Sequence, residues 1–162
     1  MSLQKDRLSW ALIGLLLVAV GAAAYFILWP QLQPHLTLRL GDGVFTARVV
    51  GAEEYAKQGG IQPDVQLPEG HAVLYVHNSD GSWLVDMRKR HALSDIVWVN
   101  SAKKVVHIVK NASADSVSGT VFGSEKAARY VIELRGGTVD AKAIKINGLA
   151  TFDESNTEGL KQ

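Results

Sequence analysis

The densest run of chemistry-bearing side chains is Asp86-Met87-Arg88-Lys89-Arg90-His91, with Asp95 close behind. An arginine guanidinium is a planar donor fork that matches phosphate and carboxylate. Arg88, Lys89 and Arg90 therefore read as a basic rim for an anion, with Asp95 and Glu133 as structural or pocket polar groups. The plain alternative is a solvated loop. Glycan hydrolysis needs two carboxylates flanking a cleft. Asp95 and Glu133 are the pair a hydrolase would use.

The five histidines, His35, His71, His77, His91 and His107, give no metal-ligand spacing. His71 and His77 stand six residues apart on one predicted strand, about 20 Å along it, too far to share an ion. His91 and Asp95 would meet only on a helix, and the residues between them read as a loop. His107 lies in an apolar strand and reads as a strand residue. No metal and no cofactor are expected. No phosphate-binding loop, zinc-protease or serine-hydrolase motif occurs. With no cysteine in 162 residues, disulfides, thiolate metal sites and a thiol nucleophile are excluded. The net charge of +1, and a basic run without interleaved aromatics, give no reason to expect a nucleic-acid partner. Asn111-Ala112-Ser113 fits the N-glycosylation triplet, a pattern common by chance.

These residues must be positioned by what surrounds them. From Leu8 to Trp29 no residue is charged, and the apolar run Trp10–Trp29 is 20 residues long. A helix of about that length spans a hydrocarbon core. Trp10, Tyr25 and Trp29 suit the two interfaces, and Pro30 stops the helix. Lys5 and Arg7 precede the run, and no further Lys or Arg follows until Arg39. Positive charge stays inside, so the N-terminus is expected in the cytoplasm and the rest outside it. Ala22-Ala23-Ala24 leaves a cleaved signal peptide as the competing reading. The expected layout is residues 1–30 as cytoplasmic N-terminus and transmembrane anchor, 31–35 as linker, 36–152 as a soluble domain and 153–162 as a disordered tail.

Within the domain, Leu36, Leu38 and Leu40 alternate with Thr37 and Arg39, a half-buried strand. Gly41-Asp42-Gly43 predicts a hairpin into Val44–Val50. Ala52–Gln58 reads as a short helix ended by Gly59-Gly60. Further strands are predicted at Ala72–His77, Ser82–Met87, Asp95–Val99, Lys104–Lys110, Tyr130–Leu134 and Leu149–Phe152. Asn78–Gly81 reads as a turn and 111–124 as a mobile loop. Thr138–Ala143 reads as one helical turn capped by Thr138. The expected fold is an N-terminal transmembrane helix plus a small mainly-β (α+β) domain. That domain would be barrel-like or a folded sheet, with one or two short helices.

The order of these motifs resembles the domain-of-unknown-function family DUF192, often a single exported or membrane-anchored domain. Four stretches carry the likeness: Val73–His77, Val85–Trp98, Ala128–Gly137 and Ala143–Ala150. The family's Lys, Asp and Glu positions fall on Arg88, Asp95 and Glu133. Its aromatic pair before Met is Val85-Asp86 here, its Asn-Thr is Lys89-Arg90, and its Pro is Leu93. The resemblance implies a mixed, β-dominated fold and no particular activity. Taken together, the sequence reads as a non-enzymatic binding or scaffold module of the cell envelope. It would meet the bilayer through residues 8–29 and a protein partner or small anionic ligand through its domain. An envelope hydrolase or an accessory subunit of a membrane complex are the alternatives.

Overall fold

The computed structural model describes residues 35–57, 65–117 and 119–155, together with Val18. The chain divides into two units, Met1–Gln33 and Pro34–Gln162. The expected anchor lies outside the described residues, apart from the helical Val18. Among the described residues no helix is long and apolar enough to cross a membrane.

The second unit is built on β1 (His35–Leu40), β2 (Gly43–Gly51), β3 (His71–Gly81), β5 (Ser94–Val99), β6 (Val105–Ala112), β8 (Ala128–Arg135) and β9 (Ala150–Thr151). They form one sheet in the order β6-β5-β8-β3-β2-β1-β9. A separate ribbon pairs β4 (Val85–Asp86) with β7 (Val121–Phe122). Two short helices complete the set, α1 (Ala52–Lys57) and α2 (Thr138–Ala141).

The β1–β2 hairpin forms where Gly41-Asp42-Gly43 predicts it. Gly41 adopts φ +55°, and a Cβ there would lie 2.2 Å from the Lys142 carbonyl oxygen. Only glycine meets both conditions. β2 and β3 pair in parallel. Parallel neighbours cannot be joined by a tight turn, so the chain crosses over through α1 and the residues up to Gly70. The sheet then curls until its edges meet. Lys104 bridges Leu149, Val105 N donates to Gly148 O (2.9 Å), and Ala150 N donates to Lys103 O (2.8 Å). The mainly-β, barrel-like expectation with two short helices holds for this unit.

The sheet has apolar side chains on both faces. The inner face gathers Leu36, Leu38, Leu40, Leu74, Ile132 and Leu134 with Val139 and Phe152. The outer face carries Val73, Tyr75, Ile96, Trp98 and Val131 under Tyr55 of α1, Val85 and Met87 of β4 and Phe122 of β7. Each such large side chain withdrawn from water stabilises by about 1.5–3 kcal/mol. β5 is buried at all six positions. That is why its sequence, Ser-Asp-Ile-Val-Trp-Val, shows no clean alternation.

Several local expectations are corrected. Asn78–Gly81 is the end of β3, with a register shift between Val76 and Gly81 where the strand bulges. Residues 121 and 122, expected in a mobile loop, form β7 and pair with β4. Thr138 does not cap α2. Gly137 is the N-cap residue, in the left-handed region at φ 84°, and makes no side-chain cap. The Asp95 carboxylate takes the Val139 amide instead, at 2.7 Å. Asp153–Ser155, expected to begin a disordered tail, are tied down: Tyr130 Oη donates to Glu154 Oε1 at 3.0 Å. Gln58 and residues 156–162 lie outside the described residues.

Candidate functional site

The register of β8 against its neighbours decides where the carboxylates go. Glu133 lies opposite Val73 of β3 and Ile96 of β5, so its side chain joins the outer face. There it is 1% exposed. Arg90 reaches it from the turn after β4, Nη1 to Oε1 at 2.7 Å. Ser94 Oγ donates to the same oxygen at 2.9 Å, and Tyr75 Oη donates to Oε2 at 3.2 Å. Arg90 Nη2 also donates to the Val65 carbonyl at 3.1 Å, tying the crossover segment to the sheet. Burial pushes the Glu133 carboxyl above its ordinary range, opposed by Arg90, Ser94 and Tyr75. Burial, and then Glu133, hold the Tyr75 phenol well above its usual value.

Beside this network stands an aromatic group. Tyr55 of α1 meets the Tyr75 ring at 4.9 Å and the His77 ring at 5.2 Å, edge to face in both cases. Its hydroxyl donates to the Leu84 carbonyl. Burial, followed by the charges of Glu133 and Asp86, pushes its pKa up to about 12. His77 stacks flat on Trp83, centroids 3.7 Å apart.

The basic cluster is split by the fold. Arg88 is exposed and turned back on Asp86, whose carboxylate accepts from its Nε at 2.9 Å and from its backbone amide at 2.9 Å. That hydrogen bonding holds the Asp86 carboxyl below the usual carboxylate range. Lys89 is exposed, whereas Arg90 is buried. His91 is exposed, and its Nδ1 faces Asp115 at 3.0 Å. Asp95 lies opposite Leu134, and its carboxylate is turned to the inner side of the sheet. There it accepts from Val139 N at 2.7 Å and Asn111 N at 2.9 Å. Of the five residues singled out from sequence, only Arg90 and Glu133 come together. The Asp95–Glu133 hydrolase pair is corrected: the two carboxylates sit on opposite sides of the sheet and share no cleft. Asp95 is an anchor for α2. Arg88, Asp95 and Glu133 do not converge on one concave site.

Sequence reasoning passed over Tyr75, Ser94, Tyr55 and Trp83 as site residues. One signal was available: Val73, Tyr75 and His77 share a face by the period of two. Nothing in the sequence says that Arg90 would reach that face.

Among the described residues no three His, Asp or Glu side chains gather in metal-binding geometry. An open hollow of about 640 Å³ lies beside the end of the basic run. Its wall combines His91, Lys110, Asn111, Ser113, Asp115 and Ser116 with the exposed apolar Leu93 and Val117. A second hollow, of about 300 Å³, lies between Arg135–Thr138, Phe45 and Glu69.

The sequence matches the model of the DUF192 family, described as an uncharacterized ACR, over residues 37–149. The chain belongs to the DUF192 family. That span covers β1 to the threshold of β9, so the buried Arg90–Glu133 pair and the Asp95 anchor sit inside the DUF192 domain proper. No curated protein matches the sequence. Two crystal structures share the DUF192 fold seen here. One is a candidate transcription regulator (R01717) from Sinorhizobium meliloti 1021: 18% identity, 74% of this chain, 95% of that chain, TM-score 0.65. The other is a protein of unknown function from Novosphingobium aromaticivorans DSM 12444: 21% identity, 72% of this chain, 83% of that chain, TM-score 0.61. At these identities the likeness speaks for the fold and for nothing further.

Proposed function

We propose that this DUF192 protein is a binding module of the cell envelope, held in the bilayer by residues 8–29 with its β domain on the extracytoplasmic side. The uncharged stretch Leu8–Trp29, bounded by Trp10, Trp29 and Pro30 and preceded by Lys5 and Arg7, supports the anchoring and the orientation. The observation that carries the binding half is the hollow of about 640 Å³ at His91, Leu93, Lys110 and Asn111. It sets hydrogen-bonding groups beside exposed apolar side chains, the mixture that small-molecule and protein sites use. The occupant is a protein partner or small anionic ligand, met by His91 and Lys110 of the wall, whose present carboxylate partners are Asp115 and Asp140.

The experiment is site-specific photo-crosslinking in living cells from position 93, with position 44 as the control. Leu93 and Val44 are both exposed, and Val44 does not line the hollow. A discrete adduct at 93, absent at 44 and lost when His91→Glu and Lys110→Glu are combined, is the expected result. The same adducts at both positions, or an adduct unaffected by the two reversals, contradicts the reading.

A further inference from the structure

His77 is 1% exposed, yet neither of its ring nitrogens has a hydrogen-bond partner among the described residues. A buried polar group left unpaired costs free energy that a fold ordinarily avoids. The ring lies flat against Trp83 and meets Tyr55 edge to face. Both neighbours belong to the cover on the outer face. Tyr55 hangs from α1 and donates to the Leu84 carbonyl. Trp83 Nε1 donates to Ala128 O at 2.8 Å, and Trp98 Nε1 donates to the Trp83 carbonyl at 2.8 Å. Tyr55, Trp83 and Leu84 thus form a clasp closed over His77.

We propose that His77 is an acid-responsive latch: a proton taken up by its ring releases the clasp of Tyr55, Trp83 and Leu84 from the sheet.

The reason is that an imidazolium in this position has two N–H groups and nothing to receive them. The Trp83 face offers the cation some attraction, but it satisfies neither donor. The surrounding charges give no counter-ion. On α1, Glu54 is paired with Arg48 of β2 at 3.4 Å, and Glu53 has contacts of its own. On the ribbon, Asp86 is held by Arg88. On β8, Glu133 is held by Arg90, and Arg129 faces Asp80 of β3 at 3.6 Å. Two further titratable neighbours are the Tyr55 and Tyr75 phenols, both pushed upward.

Burial lowers the His77 pKa from 6.5 to about 4 in the closed form. In an opened form the ring returns to its ordinary value. Above pH 6.5 neither form is protonated, and pH exerts no pull. Between 6.5 and 4 only the opened form takes the proton, so the closed form loses about tenfold per pH unit. Over the whole window that amounts to about 300-fold in favour of opening.

The test uses the full chain in detergent micelles, taken from pH 7.5 to pH 4. Tryptophan emission is followed beside hydrogen exchange of peptides covering residues 52–57 and 83–86, corrected for the intrinsic effect of pH. The wild type is expected to lose protection in both peptides as the emission of its four tryptophans changes, below pH 6.5. His77→Phe keeps the stacking and removes the proton, and it is expected to hold protection constant. Should that variant fail to fold, histidine ring resonances of the labelled wild type give the answer directly. A His77 ring that stays neutral to well below pH 6 until the clasp exchanges supports the latch. Equal acid loss in His77→Phe, full protection of the wild type down to pH 4, or a ring that titrates near 6.5 with the clasp closed would each overturn it.

Discussion

Replacing Glu133 by Gln is the substitution that most cleanly separates charge from shape in the buried network. Gln keeps the volume; its single amide oxygen can accept from Ser94 Oγ, while its NH2 meets Tyr75 Oη, which turns to accept. It removes the negative charge facing Arg90 at 2.7 Å, where the two side chains are 3% and 1% exposed. A guanidinium cannot shed its proton to escape, so the variant confines an uncompensated cation. Breaking a buried pair on one side costs about 3–5 kcal/mol. A domain of this size has about 5–15 kcal/mol in total. Glu133→Gln is therefore expected to lose a fifth or more of the domain's stability. The double variant Arg90→Met/Glu133→Gln removes both charges and should recover most of the loss, because an apolar substitute for a buried pair is often neutral. Urea unfolding of the full chain in micelles, followed by tryptophan emission, reads both. The reasoning fails if Glu133→Gln costs less than about 1 kcal/mol, the ordinary value for an exposed pair, or if the double variant is as unstable as the single one.

Three further perturbations address the other assignments. Asp95→Ala leaves the Val139 and Asn111 amides without an acceptor, at about 1–3 kcal/mol for each buried donor; urea unfolding should show the loss, and hydrogen exchange should localise it to α2 and the end of β6. Arg88→Ala removes an exposed side chain from a nearly buried carboxylate that keeps the residue-88 amide, and should cost no more than about 1 kcal/mol in thermal unfolding. Gly41→Ala forces a Cβ to within 2.2 Å of the Lys142 carbonyl at a left-handed φ and should cost more than about 1 kcal/mol in the same urea assay.

The strands were largely legible because burial writes itself into period-two patterns. Leu36, Leu38 and Leu40 alternate with exposed residues just as β1 alternates, and Gly41-Asp42-Gly43 announces its turn. The β4–β7 ribbon was not legible. Its strands are two residues each and 35 positions apart (Asp86 to Val121), too short to carry a period.

The site was less legible still, for a reason of register. Asp95 pairs with Leu134 and Ile96 with Glu133. A one-residue offset sends a side chain to the other face, and no sequence pattern fixes that offset. The run Arg88–His91 likewise reads as one rim. The turn closed by Arg90 N and Met87 O at 2.9 Å carries Arg90 inward while Arg88 and Lys89 stay outside. The resemblance to DUF192 placed Arg88, Asp95 and Glu133 at matching positions without saying that they face three different surroundings.

Where the domain resides bears on every functional statement above, and one measurement reaches it directly. The chain contains no cysteine, so a single Val44→Cys, at an exposed position outside the hollow, reports without background. Spheroplasts or protoplasts carrying that variant are treated with a membrane-impermeant maleimide before and after lysis. Labelling in intact cells at the level reached after lysis is what an anchored extracytoplasmic module predicts. Labelling that appears only after lysis would contradict it.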